Sequence, residues 1–309
     1  MSFSGEVRNE AARLIPDKDC CRKAELAALL IFSGSTSQNS RGAVLKIDVE
    51  NAATARKAYQ YFKEIGSWTA SVESEQRKWF RKTRAYEVTV PIEIEDCKLL
   101  RELGFYPEHK RQIPWNLLGK NCCRRSFIRG MFLSRGFISR PEGNYHLELV
   151  LNDSRLAADA VRLLTKVKLE VRRAERKSHL VIYIKDSEMI VDFLRLIGAN
   201  KALLDFENVR ILKSMRNAVN RQVNCETANL AKTIDAAVRQ VELMRRLMNS
   251  QKWDLLTPQL KELARLRMQH PECTLKELGD LLSPALSKSG VAYRMRRLEK
   301  AAEDLLDQP

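Results

Sequence analysis

Apolar residues recur along this chain in two distinct rhythms, and the switches between them outline its architecture. Helical spacing runs through Asp19 to Ser35, DCCRKAELAALLIFSGS, and strict alternation follows in AVLKIDVE, Ala43 to Glu50. A period near 3.6 marks one face of a helix and a period of 2 marks a half-buried strand. The helix-patterned NAATARKAYQYFKEIG comes next, then two strand candidates flanking RKWFRKTR and ending in AYEVTV, then the helix EDCKLLRELG. The same succession begins again at Asn121 with NCCRRSFIRGMFLSRGF. It continues through YHLELVL, DSRLAADAVRLLTKV, LEVRRA, HLVIYI and DSEMIVDFLRLIGA. Each unit is predicted as α-β-α-β-β-α.

The two units are an internal repeat. Cys20 and Cys122 stand 102 positions apart, as do Gly34 and Gly136. Both leading helices end near a glycine, a common helix stop. Ala24, Ala27 and Ala28 in the first and Gly130 in the second are small enough to let two backbones approach. The pairing predicts that the helices pack on each other across a pseudo-two-fold axis.

After the repeat the pattern is helical to the end. NRQVNCETANLAKTIDAAVRQVELMRRLM, beginning at Asn220, has apolar positions at Val223, Ala228, Leu230, Ile234, Ala237, Val238 and Val241. Asn220, Arg221, Asn224 and Asn229 are unusual for a plain linker helix and are candidates for phosphate contact. Three helices follow, the second short and the third longer. The first has Thr257 as N-cap and Pro258 at its first position and ends before Pro271. The second is capped by Thr274 and broken by Ser283-Pro284. The third starts at Ser287, with Val291, Met295, Leu298, Ala302 and Leu305 as its core face. Three helices with a tight break between the second and third suit a helix-turn-helix.

Basic residues concentrate on the last of these helices. The 309 residues carry a formal net charge of +15, which points to a polyanionic partner. Gln251 to Leu286 holds five bases and five acids, whereas Ser287 to Lys300 holds five bases and one acid, Glu299. The positive charge lies on the helix that would enter a major groove. Ser287, Lys288, Ser289, Tyr293, Arg294 and Arg297 are its outward candidates for DNA contact, since hydroxyls bind phosphate and arginine reads guanine bidentately. Two further basic clusters lie on the predicted hairpins. One holds Arg77, Lys78, Arg81, Lys82 and Arg84; the other holds Lys166, Lys168, Arg172, Arg173, Arg176 and Lys177.

Cysteine usage implies no disulfide framework. The seven cysteines are at 20, 21, 97, 122, 123, 225 and 273, two pairs are vicinal, and no CxxC occurs. His109, His146, His179 and His270 are too scattered to suggest zinc. The thiols read as reduced and mostly buried, with no metal or cofactor. No apolar run reaches bilayer length. Glu6, Arg8, Glu10 and Arg13 interrupt what would have to be a signal segment. A cytoplasmic, nucleoid-associated protein without a membrane partner is expected.

Two segments carry a family resemblance. LAALLIFSG, Leu26 to Gly34, and IRGMFLSRG, Ile128 to Gly136, resemble the two LAGLIDADG helices of homing endonucleases. With Asn220 to Gln240 and Ser283 to Leu305, the chain from about Phe3 to Leu305 resembles the WhiA family of sporulation and cell-division regulators. The resemblance implies an α+β fold: a two-repeat LAGLIDADG-like domain (paired antiparallel sheets, central helix pair) over 1–205, its repeats dividing near 105. A helical linker over 206–252 and an all-α helix-turn-helix domain over 253–309 complete it. It also implies double-stranded promoter DNA as partner, with a second transcription factor as a candidate protein partner. The family's usual polar residues are altered at Ala292 and Tyr293, which leaves its base preference open there.

In active homing endonucleases the last acidic residue of each motif binds the divalent metals. Those positions are Ser33 and Arg135 here. Neither is a carboxylate, and hard divalent cations want anionic oxygen, so no catalytic residue is expected. The alternatives to a DNA-binding regulator are a nucleic-acid-processing enzyme and a protein-interaction scaffold, both built on the saddle formed by the paired sheets.

Overall fold

A computed structural model describes residues 2–39, 42–76, 84–93, 96–106, 111–176 and 179–306. Two compact units divide between Ser214 and Met215.

The first unit opens with α1 (Phe3–Arg13) and then contains the repeat. The first copy runs α2 (Asp19–Ser33), β1 (Gly34–Asn39), β2 (Gly42–Val49), α3 (Ala52–Ile65), β3 (Ser71–Gln76), β4 (Arg84–Ile92) and α4 (Asp96–Glu102). The second runs α5 (Asn121–Arg135), β5 (Gly136–Ile138), β6 (Leu147–Leu151), α6 (Ser154–Lys166), β7 (Arg172–Arg176), β8 (His179–Ile184) and α7 (Ser187–Ile197). The sheets have matching antiparallel orders, β1-β2-β4-β3 and β5-β6-β8-β7.

Each copy therefore has a strand that the sequence pattern does not show. β1 and β5 leave the helix ends directly, because Gly34 and Gly136 are extended at φ −78° and −85°. A Cβ at Gly34 would lie 2.3 Å from the Leu30 carbonyl oxygen, so only glycine makes this exit without a shift. β1 reads GSTSQN, a composition with little strand preference of its own, and β5 is GFI, too short to show a period. Pairing with β2 and β6 makes them strands.

The helix pair is the centre of the unit. Every residue from Ala24 to Ser33 and from Ser126 to Leu133 is buried. A Cβ on Gly130 would meet the Glu25 carbonyl oxygen at 2.6 Å and the Ala28 Cβ at 2.8 Å, so the backbones touch where the sequence places its small residues. The same contact encloses a charged network. Glu25 accepts from Lys57 Nζ at 2.5 Å, from Tyr61 OH at 3.0 Å and from Arg129 Nη1 at 3.1 Å. Lys57 also donates to the carbonyls of Ala11 and Leu14, and Arg129 to that of Ile197. Buried charges are tolerated when hydrogen-bonded to this extent. Leu45, Ile47, Val49, Val88, Val90 and Ile92 face this core from the first sheet, and Leu147, Leu149, Leu151, Ile182 and Ile184 from the second.

A single helix, α8 (Asn200–Met248), crosses the division between the units. In the first unit its Phe206 packs on Phe3 and Tyr145. From Ile211 to Asp235 its residues are exposed apart from the half-buried Lys213. The second unit continues with a 3-10 turn (Gln251–Leu255), α9 (Pro258–Gln269), α10 (Leu275–Leu281) and α11 (Lys288–Leu306). Its core contains Leu260, Leu263, Leu278, Val291, Met295, Leu298 and Ala302, and reaches back to Met244 and Leu247 of α8. No helix among the described residues is long and apolar enough to cross a membrane.

Candidate nucleic-acid interface

Local rules fix each helix of the second unit. Thr257 is the N-cap of α9, with Pro258 at its first turn. Thr274 and Glu277 form a reciprocal capping box on α10. Ser287 Oγ accepts from the Gly290 amide at 3.2 Å and starts α11. The turn between α10 and α11 depends on Gly279, whose carbonyl accepts from the Leu286 amide at 3.0 Å. A Cβ there would sit 2.2 Å from the Leu286 carbonyl oxygen. Arg267 on α9 is buried and donates to the Cys273 carbonyl at 2.6 Å, pinning the turn before α10; burial pulls its pKa below the ordinary guanidinium value. Neither support was among the sequence candidates, although a glycine inside a short helix is a legible signal.

With Val291, Met295, Leu298 and Ala302 turned into the core, α11 presents the opposite face to solvent. Ser287, Lys288, Ser289, Tyr293 and Arg297 are exposed, and Arg294 is half-buried at the edge of the face. Arg297 lies over the Tyr293 ring at 6.0 Å. Arg296 and Lys300 share the exposed side and extend the basic stripe beyond the sequence candidates. The Ser287 hydroxyl is engaged both as the helix cap and with Ser289 Oγ at 3.0 Å.

The remaining candidates are distributed over several elements or lie outside the described residues. Arg77, Lys78, Arg81, Lys82 and Lys177 lie outside the described residues. Arg84 is exposed at the start of β4. Arg172 and Arg176 share one side of the edge strand β7, whereas Arg173 is on the other; Arg176 is 3.5 Å from Glu148. Asn220, Arg221, Asn224 and Asn229 are exposed along α8. The solvent face of the first sheet is acidic among the described residues. Register places Asp48, Glu73, Glu75 and Glu87 on the same face as Lys46, and Lys46 is itself paired with Glu87 at 2.9 Å.

The nuclease positions lie at the ends of the helix pair. Ser33 is buried with no hydrogen-bond partner for its hydroxyl, and Arg135 Nε donates to the Phe32 carbonyl at 2.7 Å. Arg111 donates to the carbonyls of Ile31 and Gly34, and Arg8 to that of Gly136. Helix C-termini carry partial negative charge. Three guanidinium groups therefore occupy the ground where a metal would need carboxylates. Arg8 and Arg111 stand 103 positions apart, almost the repeat offset, but without the helix ends in view their role is not legible.

The seven cysteines are unbridged, but only Cys21 and Cys123 are buried; Cys225 is exposed and the rest are intermediate. The expectation of mostly buried thiols is corrected on this point. Cys20, Cys21, Cys122 and Cys123 come together, because the pseudo-two-fold joins the starts of α2 and α5.

Comparison with known proteins adds a lineage to this geometry. The chain is 53% identical over 318 residues, covering the whole of both chains, to the Probable cell division protein WhiA of Syntrophomonas wolfei. The chain belongs to the WhiA family. The Probable cell division protein WhiA of Heliobacterium modesticaldum is 43% identical, across 98% of this chain and 96% of its own. Three WhiA family models match in succession: the N-terminal LAGLIDADG-like domain over 19–106, the LAGLIDADG-like domain over 124–216 and the C-terminal HTH domain over 219–302. The crystal structure of full-length DUF199/WhiA from Thermatoga maritima shares the fold, with a TM-score of 0.61 at 23% identity over 98% of this chain and 99% of that one. The fold is thus the WhiA arrangement, a two-repeat LAGLIDADG-like part followed by a helix-turn-helix. The HTH match begins at residue 219, so the WhiA module includes most of the exposed stretch of α8.

Proposed function

We propose that this WhiA-family chain is a sequence-specific DNA-binding regulator of cell-division and sporulation genes, which binds promoter DNA in the nucleoid and does not cut it. The observation that carries the reading is the basic, exposed face of α11, held outward by a core face locked against α9 and α10. A helix of that charge in third position is suited to the major groove. Ser289, Tyr293, Arg294 and Arg297 are assigned to base edges and Lys288 to phosphate. Arg221 and the asparagines of α8 are assigned to phosphate, a role supported by the start of the HTH match at 219. The names of the relatives support the cell-division assignment.

A second role for the first unit follows from its acidic sheet face. Asp48, Glu73, Glu75 and Glu87 repel phosphate, so this face is better suited to a basic protein segment, such as one on a second transcription factor.

Genome-wide mapping of bound DNA, followed by binding of purified protein to the recovered fragments, tests the main reading. Enriched promoter fragments bound in preference to scrambled duplexes are expected, intact after incubation with Mg²⁺ or Mn²⁺. Absence of both enrichment and binding would overturn the proposal. So would cleavage that disappears on mutating Ser33 or Arg135.

A further inference from the structure

The starts of α2 and α5 hold a group of side chains that DNA binding does not use. Cys20 and Cys21 lie in the first turn of one helix, and Cys122 and Cys123 in the first turn of the other. All four Sγ atoms lie within 4.8 Å of one another, and Cys122 Sγ is 4.0 Å from Cys123 Sγ. Four-coordinate zinc with thiolate bonds of about 2.3 Å sets its sulfurs about 3.8 Å apart, so the observed spacing needs only a small contraction. An iron–sulfur cluster places inorganic sulfide and several irons between its cysteines and needs a wider set.

A second, independent feature is how these helices begin. The N-cap positions are Lys18 and Lys120, both extended, and neither offers a side-chain cap. Lysine is a poor choice there, because it has no acceptor for the free amides and its charge opposes the dipole. Four thiolates in the two first turns would reverse that deficit, since helix N-termini favour thiolate. A tetrathiolate zinc centre carries two net negative charges. The two uncapped helix ends and the flanking Lys18 and Lys120 are suited to balance them.

We propose that Cys20, Cys21, Cys122 and Cys123 form a closed, structural tetrathiolate site for one zinc ion. The four thiols lose their protons on binding, and no oxidant is required. The site is remote from the degenerate nuclease positions. At about 1.5 Å per residue, a helix of 15 residues separates its two ends by about 21 Å. The ion staples the two repeats at one end of the helix pair, as the Gly130 contact and the Glu25–Arg129 pair hold its middle. With all four positions filled by protein, it has no open site for chemistry.

Untagged full-length protein, purified without added metal or chelator, is assayed for metal by elemental mass spectrometry and for thiols by titration. A single zinc per chain is expected, released as a mercurial reagent consumes the cluster thiols. The Cys20→Ser/Cys122→Ser double variant loses stoichiometric zinc, while Cys225→Ser, at an exposed cysteine, retains it. Cobalt(II) exchanged into the wild-type protein gives the intense bands of tetrahedral thiolate coordination. That spectrum decides the matter if the double variant does not fold. Wild-type protein with all seven thiols free and no zinc overturns the proposal. So does a disulfide joining the two helices, a six-coordinate cobalt spectrum, or a folded double variant that keeps its zinc.

Discussion

Gly130 and Gly279 each carry more of this structure than their lack of a side chain implies. At Gly130 the α2 and α5 backbones meet, with the Glu25 carbonyl and Ala28 in the space a side chain would need. Gly130→Glu or Ala28→Glu would add an unpaired carboxylate beside a charge network already satisfied by Lys57, Tyr61 and Arg129, at a cost of several kcal/mol. Thermal melting of the full-length variants should show a large loss; a wild-type midpoint for either would remove the main support for the packed pair. At Gly279 the constraint is the Leu286 carbonyl at 2.2 Å from a built Cβ. Gly279→Ala should cost about 1–3 kcal/mol by overpacking. Amide exchange in the full chain should localise that loss to α9, α10 and α11. Gly119→Ala, which meets nothing within 4 Å, is the control and should leave exchange unchanged.

At the scale of elements, the legible parts were those whose sequences carry their own period. α3, α6 and the strands β2, β4, β6 and β8 alternate or repeat clearly enough to be placed from residues alone. β1 and β5 do not, because their extended state comes from a glycine exit and a paired neighbour rather than from side-chain preference. The connector divides in the same way. Its apolar residues suggested a packed helix, and Ala237 and Val241 do pack, but Val223, Leu230, Ile234 and Val238 are more than half exposed. Exposed helix opens locally at low free-energy cost. Limited proteolysis should therefore cut first within residues 211–236 of α8 and release a C-terminal fragment containing α9 to α11. First cleavage within α5, buried from Ser126 to Leu133, would contradict the two-repeat core.

For the molecule as a whole, α11 was legible because core face, cap and charge fall on one continuous stretch, Ser287 to Leu305. The cysteine group and the guanidinium plugs were not, since each joins residues about 100 positions apart that only the pseudo-two-fold brings together. The acidic face of the first sheet was hidden by alternation, which distributes Asp48, Glu73, Glu75 and Glu87 over three strands. The net charge of +15 is therefore unevenly placed, and sequence readout is proposed for α11 alone.

Titration of cognate and scrambled duplexes at several salt concentrations, comparing Arg297→Ala with Arg221→Ala, tests that assignment most directly. A base-reading arginine should cost about 1–3 kcal/mol on the cognate duplex and little on the scrambled one. A phosphate-contacting arginine should weaken both duplexes alike and make the salt slope shallower by about one. The first result is expected for Arg297→Ala and the second for Arg221→Ala. Equal weakening of both duplexes by Arg297→Ala, with selective loss from Arg221→Ala, would move recognition from α11 to α8.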